Sequence, residues 1–169
     1  DDVPSLDPDY VVLASPTNQH YAQLNFLERH LNGKKLLVEK PLFDSMAEFT
    51  VRNNEVVVGY NLRFHPLLNK IKELCKDRRL WSMHVFCGSY LPDWRPGRDY
   101  RTTSSVRKDS GGGVLLDLSH ELDYVQWLAG PLVVELAVSE KVSDLEIDID
   151  DLLLFSGRAQ GGAYVHIAL

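Results

Sequence analysis

The sequence predicts an α/β chain in two parts, a parallel sheet with crossover helices followed by an α+β region with an open, mainly antiparallel sheet. Three observations carry this. Between Tyr10 and Tyr60, apolar runs alternate with helical or loop patterns in the rhythm of a parallel sheet. After Gly59 the texture changes to an amphipathic helix and strands of mixed faces. Beyond Pro131, three strand-like runs are joined across a glycine-rich hairpin. The boundary falls near residue 60, dividing the chain into 1–60 and 61–169.

Each element has its own signal. "DDVPSLDPDY" reads as a loop entering a strand, and "YVVLASP" as a strand buried on both faces and stopped by Pro16. In "TNQHYAQLNFLERHLNG", Tyr21, Leu24, Leu27 and Leu31 share a helical face. Thr17 or Asn18 can cap that helix and Gly33 can close it. "KLLVE" is the second strand, "DSMAEF" a short helix and "NNEVVVGY" the third strand.

"HPLLNKIKELCKD" is an amphipathic helix with proline in its first turn, and "LWSMHVFCGSYL" a long strand. A loop of about twenty residues follows, long enough to suggest function. "SGGGVLLDLSHELDYVQWLAGP" is a helix opened by Ser110 or the glycines and ended by Gly130 and Pro131. "VVELAVSEKV", "IDIDDLLLF" and "AYVHIAL" are the last strands, the hairpin being "GRAQGG".

Composition narrows the function classes. The 169 residues are 44% hydrophobic and 25% charged, ordinary for a globular protein. A net charge of −6 argues against nucleic-acid binding through a broad basic surface. The segment from Glu135 to Asp151 holds seven acids against Lys141 alone, whereas Pro92 to Gly113 holds five basic residues and three acidic. No apolar run approaches a membrane span and no signal peptide opens the chain, so no membrane partner is expected. Cys75 and Cys87 form no C-x-x-C pair, which points to a reducing, cytoplasmic setting.

"LLVEKPLF" raises the main chemical question, because an apolar strand there ends in Glu39, Lys40 and a proline. Ligands of open parallel sheets bind at the carboxyl ends of the strands. Lys40 is therefore either a ligand contact or a surface lysine at a strand end. Arg63 and His65 follow the third strand, also at its carboxyl end. Arg63 either binds substrate hydroxyls or phosphate, or pairs with an acid across the boundary. Trp94, Arg95, Arg98, Tyr100 and Arg101 form either an anion-binding loop with Trp94 as stacking face, or a solvated loop. Asp144, Glu146, Asp148 and Asp150 alternate as on a solvated strand face. They have no glycine-turned calcium loop, so no metal is expected.

"VVLASPTNQHYAQ", "LLVEKPLF", "VGYNLRFHP" and "GGGVLLDLSHELDYVQWLAG", in that order, resemble the Gfo/Idh/MocA family of nicotinamide-dependent oxidoreductases acting on sugars, inositols and nucleotide sugars. The resemblance covers nearly the whole chain. It implies the C-terminal part of a Rossmann-type sheet, a substrate-binding and oligomerisation domain from 61 onward, and NAD or NADP as cofactor. Lys40 would lie between nicotinamide and substrate, His120 would be the catalytic base, and Asp117 would assist. The family's acid stands four residues before the histidine, where this chain has Leu116; Asp117 is three before.

Ser15, Pro16, Thr17, Asn18, His20 and Glu39, with Lys40, would border the cofactor, and Arg63, Trp94, Arg95, Arg98 and Tyr100 the substrate. The implied partners are a carbohydrate-like small molecule and a second copy joined through the C-terminal sheet. A dehydrogenase-like domain that binds sugar or protein without turnover is the alternative. No G-x-G-x-x-G turn occurs. By resemblance the chain starts after the pyrophosphate loop and stops before the end of the second domain, so weak NAD(H) binding is expected of these residues alone.

Overall fold

The computed structural model describes residues 2–169; Asp1, the first residue of the predicted opening loop and of segment 1–60, lies outside the described residues. The chain divides into two compact units. Residues 2–59 with Asp109–Gly111 form the first, and Tyr60–Lys108 with Gly112–Leu169 the second.

The first unit is a parallel sheet in the order β1-β2-β3, made of β1 (Tyr10–Leu13), β2 (Lys35–Val38) and β3 (Glu55–Val58). Helix α1 (Thr17–His30) crosses from β1 to β2. It buries Leu24 and Leu27, with Leu31 just beyond, against Leu13, Leu36 and Val38 of the sheet. β1 is not buried on both faces. Tyr10 and Val12 are exposed because α1 covers only the face of Leu13, and Val57 of β3 is half exposed for the same reason.

Four further expectations change. Asp44–Phe49 forms no helix, so β2 runs to β3 through irregular backbone. The N-cap of α1 is Pro16, with no side-chain cap from Thr17 or Asn18. The helix ends at Leu31 in extended backbone, and Gly33, at φ 71°, turns the chain afterwards. Tyr21 is exposed, and His20 takes the buried place beside Leu24.

One polar group ties the connection together. Glu28 of α1 accepts from the amides of Arg52 (2.6 Å) and Asn53 (2.5 Å) and from Asn54 Nδ2 (2.8 Å). Burial alone would push its carboxyl up, but these donors together outweigh it and hold it below the ordinary 4.5.

The second unit is a four-stranded mixed sheet in the order β4-β7-β6-β5, from β4 (Ser82–Phe86), β5 (Leu132–Glu140), β6 (Leu152–Ala159) and β7 (Tyr164–Ala168). β5-β6 and β6-β7 are antiparallel and β4-β7 is parallel. The expected long strand near Trp81 is therefore only Ser82–Phe86. β5 bulges between Val134 and Leu136, beside Gly157. A Cβ on Gly157 would stand 2.1 Å from Val133 O, so only glycine allows that approach.

Helix α2 (Pro66–Cys75) starts with Pro66, and His65 caps it by accepting from Leu67 N at 3.2 Å. The helix predicted after the glycines is broken in two, α3 (Val114–Asp117) and α4 (Ser119–Ala129), at Leu118 with φ −99° and ψ 25°. Asp150 causes the offset. Its carbonyl accepts from Val114 N and its Oδ2 from Leu115 N, anchoring α3 to another segment while α4 packs on the sheet. α4 contributes Val125 to the core of Leu153, Phe155, Val165 and Ile167, with Leu118, Leu122 and Tyr124 packed against it.

The acidic run 141–151 is irregular, not a strand. Its alternation is real: Ile147 and Ile149 pack into a small core with Val106. The acids have local tasks, since Glu146 pairs with Arg101, and Asp151 accepts from Val142 N, Ser143 N and Ser143 Oγ. Among the described residues no helix is long and apolar enough to cross a membrane, and no group of three or more His, Cys, Asp and Glu could hold a metal ion.

Candidate active site

In the first unit the candidate residues cluster where β1 and β2 end. Pairing extends one residue past each strand, with Glu39 N donating to Leu13 O and Gly59 N to Val38 O, both at 2.8 Å. Glu39 is exposed there and Lys40 half-buried. Gly59 leaves room for the acid, because a Cβ on it would stand 3.3 Å from Glu39 Oε2.

The loop from Ser15 to Asn18 sits beside them and is internally braced. Ser15 Oγ donates to Gln23 Oε1 at 2.6 Å, and Asn18 Nδ2 to Asp109 O at 2.8 Å. Thr17 packs against Gly111, whose φ is 75°.

His20 is the best-enclosed of these residues, at 1% exposure. Its Nε2 is 2.9 Å from Ser15 O and its Nδ1 3.2 Å from both Pro41 O and Leu42 O. The imidazole thus joins the loop after β1 to the Lys40-Pro41 turn after β2.

In the second unit, His120 is the second residue of α4 and half-buried. The Tyr60 ring meets it edge-on, centroids 5.6 Å apart and planes at 79°. Arg63, in the 3₁₀ turn Asn61–Phe64, grips Asp123 of α4 with Nε–Oδ2 at 2.8 Å and Nη2–Oδ1 at 2.5 Å. Its acid partner therefore lies in its own unit, three residues beyond His120. Tyr60 and Asp123 were missed from sequence, although the spacing from His120 to Asp123 is a same-face helix spacing.

Behind this face, Glu121 is buried near Cys87 and Tyr124. Burial and then the Glu121 charge push the Cys87 thiol up, and they push the Tyr124 phenol up to about 12. Such a thiol is a poor nucleophile.

Asp117 closes α3 and lines a cavity of about 80 Å³ wholly within the second unit. Trp94, Ser89 and Ser105 line it too, as do Asp150 and Asp151, over a floor that includes Ile147 and Ile149. Gly113, at φ 114°, permits this, because a Cβ there would stand 2.5 Å from Asp150 Oδ1.

Arg95, Arg98 and Tyr100 do not line that cavity. They border a separate cleft of about 10 Å³ that shares Leu91, Trp94 and Ser105 with it. The Arg95 guanidinium is 5.8 Å from the Trp94 ring centroid, and Tyr100 Oη accepts from Glu146 N at 3.3 Å. Arg101 is fully engaged by Asp99 and Glu146. The sequence-predicted residues thus form four groups: Ser15, Pro16, Thr17, Asn18, His20, Glu39 and Lys40 in the first unit, Arg63 beside the α4 helix of His120, Asp117 with Trp94 at the cavity, and Arg95, Arg98 and Tyr100 at the cleft.

Known proteins extend the picture. Residues 68–169 match the family model of the GFO/IDH/MocA C-terminal domain. An uncharacterized oxidoreductase, YrbE, of Bacillus subtilis is 29% identical over 137 residues, 76% of this chain and 38% of that protein. An uncharacterized oxidoreductase of Synechocystis is 29% identical over 129 residues, 72% of this chain and 34% of that protein. The chain thus spans little more than a third of the length of these relatives.

Among solved structures, the WlbA dehydrogenase from Bordetella pertussis, in complex with NADH and UDP-GlcNAcA, superposes with TM-score 0.75 at 20% identity, covering 99% of this chain and 50% of that one. A levoglucosan dehydrogenase in complex with NADH and levoglucosan gives 0.76 at 24%, with the same coverages. These likenesses establish the fold: a three-stranded parallel sheet and a four-stranded mixed sheet of the kind found in such dehydrogenases. With the match over residues 68–169, the chain belongs to the GFO/IDH/MocA family.

Proposed function

We propose that the protein to which this chain belongs is an NAD(P)-dependent oxidoreductase that moves a hydride between a nicotinamide and a secondary alcohol or ketone of a sugar or polyol. The observation that carries this is the family match together with Lys40 and His120 in their motifs. The oxidoreductase relatives and the NADH-bound neighbours support it.

The donor set suits the cofactor. Hydroxyl, amide and charged groups of Thr17, Asn18, Glu39 and Lys40 gather at the carboxyl ends of adjacent parallel strands, where doubly wound sheets take dinucleotides. When bound, a nicotinamide supplies the hydride acceptor or donor.

The chain's own residues handle the oxygen and its proton. His120 takes the hydroxyl proton as the alcohol is oxidised, and Lys40 donates a hydrogen bond to the oxygen as it gains carbonyl character. Tyr60 and the Arg63–Asp123 fork orient His120 by fixing its ring and its helix. Asp117 contacts substrate hydroxyls through the cavity it lines. In the first unit His20 holds the shape of both loops. Nicotinamide reduction by the full-length protein, followed across a panel of neutral, amino and acidic sugars, tests the assignment; no turnover with any of them refutes it.

We also propose a homodimer through the four-stranded sheet. The face away from α4 exposes Phe86, Leu136, Leu154 and Tyr164, apolar side chains that a second sheet would cover.

A further inference from the structure

The cavity lined by Asp117 has a charge character that the sequence did not suggest. The loop carrying Trp94 is basic in sequence, yet its arginines lie elsewhere: Arg95 and Arg98 face the 10 Å³ cleft, which holds about one water. The 80 Å³ cavity, with room for a handful of waters, has Asp117, Asp150 and Asp151 in its wall and no lysine, arginine or histidine.

Asp151 keeps its charge. Burial pushes its carboxyl up, but donors from Ser143 and Val142 outweigh that and hold it below the usual carboxylate range. Asp150 is held at the mouth of α3 by the Leu115 amide and by the bare Cα of Gly113. An aromatic side chain beside carboxylates and serine hydroxyls is a lining for a ring that offers O–H or N–H donors. It repels a carboxylate or phosphate, which would meet like charge with only the hydroxyls of Ser89 and Ser105 as side-chain donors.

We infer that this cavity takes one edge of a single sugar ring that carries hydroxyl or, better, ammonium groups, and rejects uronates and phosphorylated rings at that edge. An amino sugar is the best-matched class. Its ammonium would make charge-assisted hydrogen bonds to the aspartates where a neutral sugar makes ordinary ones. That the bound ring is a substrate rests on the dehydrogenase reading above; that the cavity selects against anions does not.

The test titrates the ¹⁵N-labelled 169-residue chain, without nicotinamide, with glucosamine, glucose and glucuronate. The readout is the Trp94 indole N–H, identified by its loss in Trp94→Phe. Glucosamine should shift that signal at about tenfold lower concentration than glucose, and glucuronate should neither shift it nor compete. Asp150→Asn keeps an acceptor for the Leu115 amide while removing the charge, and Asp117→Asn provides an independent removal. Each should narrow the glucosamine preference several-fold while glucose binding persists. Glucuronate binding as tightly as glucose, an unchanged preference in both variants, or no shift with any of the three would overturn the inference. Selective glucosamine binding by a protein that turns over no sugar would refute the dehydrogenase reading and leave the cavity assignment standing. Turnover confined to acidic sugars would do the reverse.

Discussion

The two sheets solve opposite problems with similar residues. β1, β2 and β3 are four residues each, parallel, and covered by α1 on one face, so their polar residues collect at the strand ends. β5 and β6 are nine and eight residues, antiparallel, and cross at a glycine-permitted bulge. Buried and exposed residues alternate along β6 and β5 is exposed along nearly all its length, leaving one broad face to solvent. A short parallel sheet thus presents loops that can hold a ligand, and a long mixed sheet presents a surface that can hold another sheet. The chemistry proposed here draws one group from each region, Lys40 from a strand end and His120 from the helix on the mixed sheet.

Removing either group should break that division of labour most severely. In the full-length protein His120→Ala or Lys40→Ala should lower kcat by about a hundredfold or more. Cofactor affinity, measured by calorimetry, should move little for His120→Ala and more for Lys40→Ala. A His120→Ala enzyme keeping most of its turnover would remove the base assignment. Asp117→Asn sharpens the point: a loss as large as that of His120→Ala would make Asp117 part of the proton chemistry, and a moderate rise in KM would make it a substrate contact.

Stability should also separate the regions. Glu28→Ala removes the buried carboxylate that accepts from two part-buried backbone amides and should cost about 2 kcal/mol in urea unfolding, read from a probe in the first unit. Because the folded-state pKa of Glu28 lies below its unfolded value, its contribution is complete above about 4.5 and is lost as pH falls through the lower, folded-state pKa. Glu28→Gln should therefore make the first unit less stable near neutral pH and flatten its loss of stability as pH falls below about 4.5. A variant whose stability falls with acid as steeply as that of the wild type would contradict that.

Leu136→Asp on the open face should convert the dimer to a monomer in light scattering with little change in the melting of either unit. A wild-type monomer at high micromolar concentration would end the dimer proposal. The smallest effect belongs to Arg63→Lys. The pair is half exposed on the arginine side, so its loss should cost under about 1 kcal/mol in stability. A drop in kcat with KM unchanged would mark the fork as positioning His120; a raised KM would mark Arg63 as a substrate contact instead.

The core was legible where periodicity and chain neighbourhood act together. The α1 stripe of Leu24 and Leu27, the strands around Leu36 and Val165, Pro66 opening α2 and Gly130 closing α4 all follow from local rules. So does the placing of Lys40 just after β2, whose Leu36 and Val38 are buried and leave no place for a charge at that end.

Residues close together in the chain set the order and kind of most elements and the motifs at their ends, since backbone propensity and apolar spacing are properties of neighbours. The folded arrangement set the rest. It broke the glycine-led helix at Leu118, because Asp150 from a distant segment claims the amides of Val114 and Leu115. It left Asp44–Phe49 irregular, in a connection that Glu28 of α1 anchors at Arg52 and Asn53. It kept the acidic run from becoming a strand, because Ile147 and Ile149 found a core with Val106 and no ladder partner. It buried His20 among three carbonyls, paired Arg63 with Asp123, and put aspartates where arginines were expected around Trp94. Each of these outcomes depends on groups far apart in the chain, whose hydrogen bonds and packing act only once the fold brings them within a few ångströms.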